Sequence, residues 1–138
     1  MRARCRLFVY GTLRRDADGR PHPLLGPDAE WLGRACWQGR LYRVADYPGA
    51  VPSATPADRV LGEVYALPRP DAVLAALDAW EDCDATPPEY RRRRARVRLA
   101  NGTRCRAWIY IYARPVDGLA RIASGDFGPG PTLDPRSP

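Results

Sequence analysis

Sixteen carboxylates are spread along the 138 residues of this chain, and Glu81 has the least ordinary setting. It closes the run DAVLAALDAWE (71–81), in which Val73, Leu74, Leu77 and Trp80 fall on one face at helical spacing. A carboxylate at a helix C-terminus meets the negative end of the macrodipole, and a place beside Trp80 would also strip water from it. Both effects raise a carboxyl pKa, which is what a general acid/base near neutral pH requires. The plainer alternative is an exposed glutamate at a helix end. A second candidate is FVYGTLRR (8–15), an apolar run that stops on Tyr10-Gly11-Thr12-Leu13. A glycine after a strand lets the chain turn with φ > 0. The N–H groups that follow can then converge on one spot and hold an anion. The same residues also fit a plain strand-end turn.

Other reactive groups are less well placed. His22, the sole histidine, and Cys83 are the types of a base and a nucleophile, but no third partner accompanies them. The cysteines Cys5, Cys36, Cys83 and Cys105 form no C-x-x-C pair, so neither a zinc site nor any other metal centre is expected. In a reducing compartment they should be free thiols. The run Arg91–Arg94 could be an anion or nucleic-acid patch. The alternation after it, with Ala95, Val97 and Leu99 between arginines, reads better as a strand with one solvated face. A nucleic-acid partner is disfavoured, because neither stacking aromatics nor a recognition motif stands nearby.

The elements that must position these groups are mostly strands. CRLFVY (5–10) reads as a short buried strand. EWLGRACW (30–37) and GRLYRV (39–44) are β-prone, with Gly33 and Gly39 as bulges or bends. The alternation in VLGEVYAL (60–67) predicts a strand, and residues 71–81 supply the clearest helix, with Pro70 and Asp71 suited to its first turn. Residues 90–113 predict a hairpin turning at Asn101-Gly102. A short helical turn is expected within 117–127, and a flexible proline-rich tail over 129–138. This order fits a single α+β domain over 1–128, its sheet curling into a small mixed β-barrel with few short helices.

Composition narrows the classes further. An apolar share of 45% suits one globular core. No apolar run approaches the roughly 18 residues of a membrane span, and the first residues lack the apolar stretch of a signal peptide, so no membrane partner and a cytoplasmic location are expected. The net charge of +6 comes from 22 arginines and no lysine, which points to coding bias as much as to an acidic partner.

Together the segments VYGTLRR, G.LY....YPG (39–49), V.GEVYAL, LDAWE (77–81), EYRR...RV (89–97) and IASGDF resemble the gamma-glutamylcyclotransferase-like, or AIG2-like, family across residues 7–127. The resemblance implies a barrel with a cavity and the release of 5-oxoproline from a γ-glutamyl amine or dipeptide, a lyase or acyltransferase type of reaction using neither metal nor cofactor. Glu81 would be the catalytic acid/base, and Tyr10, Gly11, Thr12 and Leu13 would hold the γ-glutamyl unit through backbone groups. Tyr90 matches the family's tyrosine and is either a pocket wall or a core residue. Many relatives carry glycine after the catalytic glutamate, where this chain has Asp82. A second carboxylate there would raise the pKa of Glu81 further. Two other functions fit less of the sequence: a non-catalytic small-ligand binder of the same fold, and a basic nucleic-acid-binding module built on Arg91–Arg98.

Overall fold

A computed structural model describes residues 5–11, 13–14, 19–20 and 22–128. The predicted tail over 129–138 lies outside the described residues. The strands are β1 (Cys5–Val9), β2 (Glu30–Arg43), β3 (Pro48–Pro52), β4 (Arg59–Leu67), β5 (Tyr90–Leu99), β6 (Arg104–Tyr112) and β7 (Ala120–Arg121). One helix, α1 (Pro70–Trp80), and one 3₁₀ turn (Pro23–Leu25) complete the set. The sheet runs β3-β2-β4-β1-β6-β5, and pairing of β2 with β5 through Ala35–Leu99 and Cys36–Arg98 closes five of these strands into a barrel. Only β1 and β6 run parallel; every other pairing is antiparallel.

The two segments read as separate strands around Gly39 form one 14-residue strand. Its first part pairs with β4 as far as Gln38, and from Gly39 onward it pairs with β3. Gly39 sits at the changeover because a Cβ there would lie 2.5 Å from the Trp37 ring and 2.7 Å from the Val51 carbonyl. The register shift between Trp31 and Gly33 is the bulge expected near Gly33.

Alternation along β1 divides the interior in two. Phe8 and Tyr10 point into the barrel among Trp37, Leu41, Val60, Val64 and Ile109. Leu7 and Val9 point to the other face, among Tyr65, Leu67, Leu74, Leu77, Tyr90 and Tyr110. That is why Leu7, Phe8 and Val9 are all apolar: both faces of the strand are covered there, while Cys5 and Arg6 before them are only half-buried. The helix covers the second face with Leu74 and Leu77, while Trp80 stays 48% exposed. Burying a side chain such as Leu77 contributes about 1.5–3 kcal/mol, which fixes the helix on the sheet.

The helical turn expected within 117–127 is absent. Ala120–Arg121 instead pair with Tyr42 and Arg43. Beyond them the Ile122 N–H donates to the Leu41 carbonyl at 2.7 Å, and the Gly125 carbonyl accepts from the Leu61 N–H at 2.7 Å. The segment spends its backbone groups on β2 and β4, and the left-handed Gly118 and Gly125 bound it.

Candidate active site

Glu81 lies one residue beyond α1, and the way the helix ends decides where its side chain goes. The Asp82 N–H donates to the Ala79 carbonyl at 3.2 Å and the Cys83 N–H to the Asp78 carbonyl at 3.0 Å. That pair of bonds is a Schellman motif, which needs a left-handed residue just past the cap. Asp82 takes that place with φ 55°. Glycine meets this requirement without strain, and aspartate is one of the few other residues that tolerate it.

A second set of contacts holds this helix end against the sheet. The Arg92 guanidinium donates to both Asp78 oxygens, at 2.9 and 3.1 Å, and the Tyr110 hydroxyl donates to the same carboxylate at 2.7 Å. Burial pushes the Asp78 pKa up, but Arg92 and Tyr110 outweigh it and hold the carboxyl below its usual range. Asp78 and Glu81 are three residues apart and have opposite fates. Among the described residues the Glu81 carboxylate has no hydrogen-bond or ionic partner. Burial, followed by the charges of Glu89 and Asp82, pushes its pKa up to about 7. Desolvation therefore does come into play, but half-exposed Trp80 is one wall among several rather than its source.

Glu81 opens onto a cavity of about 480 Å³ whose lining includes Phe8, Val9, Tyr10, Gly11, Leu13, Trp80, Asp82, Glu89, Tyr90 and Tyr110. Of the residues expected at the site, Tyr10, Gly11, Leu13, Tyr90 and Glu81 are thus brought together, while Thr12 lies outside the described residues. The expectation about Gly11 needs correcting. Its φ is not positive. Glycine is required there because a Cβ would meet the Pro48 ring at 2.9 Å. The turn is closed by an Arg14 N–H to Gly11 carbonyl bond of 3.1 Å. Among the described residues the N–H groups of Gly11 and Leu13 have no acceptor, so they are free for a ligand.

The tyrosines brace the wall rather than offer free hydroxyls. Tyr10 donates to the Tyr110 carbonyl at 2.6 Å and accepts from the Ala50 N–H at 3.2 Å. Tyr90 donates to the Pro48 carbonyl at 2.6 Å, so it is both a core residue and a cavity wall. Tyr47 donates to Glu89 at 2.5 Å, and that bond pushes its pKa up to about 12. Burial raises the pKa values of Tyr10 and Tyr90 as well. Asp78, Tyr47, Glu89 and Tyr110 were not singled out from the sequence. Asp78 stands in the quoted LDAWE, Tyr47 in the quoted YPG and Glu89 at the head of the quoted EYRR, so those motifs already marked three of the four.

Arg14 also has a structural use. Its guanidinium forms an ion pair with Asp126 at 3.0 Å and donates to the carbonyls of Gly11 and Gly128. It ties the closing SGD segment to the Tyr10–Leu13 turn. His22 lines the Glu81 cavity, with its ring 5.5 Å from that of Trp80 and its pKa lowered by burial. Cys83 faces a different groove, beside Asp78, Arg92 and Trp108. The two do not form a nucleophile–base pair. Among the described residues no group of three or more His, Cys, Asp or Glu side chains is gathered as a metal site.

Comparison with known proteins identifies the class. Residues 7–129 match the family described as gamma-glutamyl cyclotransferase, AIG2-like, and the chain belongs to that family. It is 39% identical over 123 residues to the gamma-glutamylcyclotransferase family protein YtfP of Escherichia coli, covering 88% of this chain and 95% of that one. The solution structure of the E. coli protein superposes with a TM-score of 0.61 at 38% identity, over 88% of this chain and 94% of the other. A mouse AIG2-like protein is 26% identical with a TM-score of 0.62, covering 81% of this chain and 79% of its own. Bacillus subtilis YkqA shares the fold at 24% identity and a TM-score of 0.66; the match spans 90% of this chain but only 39% of YkqA.

The left-handed Asp82 gives a direct test of this helix end. Asp82→Gly should raise stability by up to about 1 kcal/mol in urea unfolding, because glycine adopts that φ without a Cβ penalty. A marked loss of stability would show that the Asp82 side chain holds the loop.

Proposed function

We propose that the protein is a γ-glutamyl cyclotransferase that releases 5-oxoproline from a γ-glutamyl amine, with Glu81 as the acid/base. The observation that carries this reading is the unpartnered Glu81 carboxylate, its pKa pushed up to about 7, on the wall of a cavity shared with the Tyr10–Leu13 turn.

The reaction needs a fold in the substrate and a proton moved twice. The α-amino nitrogen of a γ-glutamyl unit can reach its own γ-carbonyl carbon and close a five-membered lactam. At neutral pH that nitrogen is an ammonium and cannot attack. Ionised Glu81 takes the proton; the new C–N bond forms; the bond from the carbonyl carbon to the leaving nitrogen breaks. Glu81 returns that proton to the leaving nitrogen, then takes the second proton that the ring nitrogen sheds and passes it to the freed amine, which departs as an ammonium and leaves a neutral lactam. A pKa near 7 suits both halves of the exchange. The free N–H groups of Gly11 and Leu13 are suited to hold the substrate carboxylate or the developing oxyanion. Holding the amine against the carbonyl is a proximity effect, which can exceed the acid/base term.

The lining also favours one leaving group over another. The described residues around the cavity include the carboxylates of Asp46, Glu81, Asp82 and Glu89 and no arginine, in a protein of net charge +6. A leaving amine that carries its own carboxylate would face this acidic rim, whereas a neutral or cationic amine would not. This supports γ-glutamyl amines over γ-glutamyl dipeptides.

A panel of γ-glutamyl compounds assayed for 5-oxoproline tests the proposal. Turnover should be higher for amines without a carboxylate, and Glu81→Gln should lower kcat/KM by about 10²–10⁴-fold. Equal turnover by the two proteins, or no product from any compound, would refute the assignment. The pH profile provides a separate check. Glu81 must be ionised to accept the first proton, so kcat/KM should rise as pH climbs through about 7. A limb near the ordinary glutamate value would contradict the role.

A further inference from the structure

The β5–β6 hairpin is the part of the molecule that the cavity leaves unexplained. Residues 90–112 carry eight arginines and no carboxylate, whereas the rest of the chain carries fourteen arginines and sixteen carboxylates. The hairpin therefore carries +8 and the rest of the chain −2, which together make the net +6. Arg92 is engaged by Asp78, and the guanidinium of Arg94 lies over the Trp108 ring, 4.8 Å from its centroid. Beyond them the register sets Arg96 opposite Arg106 and Arg98 opposite Arg104. All four of these side chains are exposed, and among the described residues none is in an ion pair.

Like charges directly opposite one another weaken a sheet. Solvation of a single outward face does not call for two matched rows of arginine. An external polyanion would turn this repulsion into attraction.

We propose that this face binds the phosphate backbone of a single-stranded nucleic acid without reading its bases. Alternate residues of a strand repeat every ~6.8 Å, so each row offers cations at a regular interval. Guanidinium groups match phosphate oxygens in bidentate geometry. The face supplies no open stacking platform, because Trp108 is half-buried with Arg92 and Arg94 over its ring at 4.4 and 4.8 Å. Contacts are then to phosphates alone, which carry no sequence information. No exposed apolar side chain stands among Arg94, Arg96, Arg98, Arg104 and Arg106 to enter a bilayer. Among the described residues no helix or free ribbon projects from the face to enter a duplex groove. None of these five arginines lines the Glu81 cavity, so the inference is independent of the proposed reaction.

Fluorescence anisotropy of a labelled thymidine oligomer, titrated with the full chain, tests it. Arms with an adenosine oligomer, a duplex, and vesicles containing phosphatidylserine separate the other anionic surfaces. The single strands should bind with Kd of about 10⁻⁶–10⁻⁴ M, and with a log K against log salt slope of about −3 if four phosphates are met. The double variant Arg96→Ser/Arg106→Ser should bind at least about tenfold more weakly, with the slope roughly halved, as expected when two of four contacts are lost. Its melting temperature should be unchanged or higher, since an opposed like-charge pair is gone. No oligomer binding at about 50 mM salt would overturn the proposal, since phosphate contacts are strongest there. So would unchanged affinity and slope in the variant, preference for the duplex, or capture by vesicles without oligomer binding.

Discussion

A carboxylate held out of water without a cation is the constraint around which this structure is arranged. Among the described residues Glu81 meets no arginine, in a chain that has 22 of them. One helical turn earlier Asp78 takes the guanidinium of Arg92 and the hydroxyl of Tyr110. Two carboxylates on one helix end are thereby pushed in opposite directions, Asp78 below its usual range and Glu81 to about 7. Paired environments that separate two carboxyl pKa values are a recurrent mark of acid/base sites. The paired group fixes the scaffold, and the one without a partner among the described residues is the group proposed to exchange a proton.

The far wall is built from segments distant in the chain but short in reach. Tyr10 bonds to Ala50, Tyr90 to Pro48 and Tyr47 to Glu89, so three phenols tie the start of β3 and the turn before it to β1 and β5. Gly11 lets the Pro48 ring come close, and Gly49 does the same for Tyr112, whose ring a Cβ would meet at 2.7 Å. Arg14 and Asp126 pin the turn from the other side. The molecule also separates its charge: carboxylates surround the cavity, and the arginine excess collects on the β5–β6 hairpin.

The barrel, the hairpin turn and the helix were legible because each rests on local signals. Alternation marked β4, Asn101-Gly102 marked the hairpin, and the spacing of Leu74 and Leu77 marked α1. The short strand Ala120–Arg121 was not legible, because its partners in β2 lie some eighty positions away and its own residues lack a period. Among the candidate site residues, Glu81 stood out through its place at a helix end. Asp78 and Tyr47 did not, since a carboxylate or phenol in a polar stretch looks solvated until its partner is in place. Gly11 was noticed for its freedom of φ, but what it provides is space for Pro48. Asp82 looked like an electrostatic departure from the family, and its left-handed φ of 55° supplies the steric reason why glycine suits that position.

The proposed chemistry turns on the protonation of one side chain. A carbon-detected NMR titration of the Glu81 carboxyl, assigned by comparison with Glu81→Gln, reads it without substrate or turnover. The resonance should titrate near 7, well above the ordinary 4.5, because burial and the charges of Glu89 and Asp82 all disfavour ionisation. The same shift makes the fold lose stability as pH rises from about 4.5 through about 7, since the native state holds the proton longer than the unfolded chain does. A midpoint near 4.5 would mean that Glu81 is solvated and ionised like any surface glutamate, and the acid/base role would fall with it.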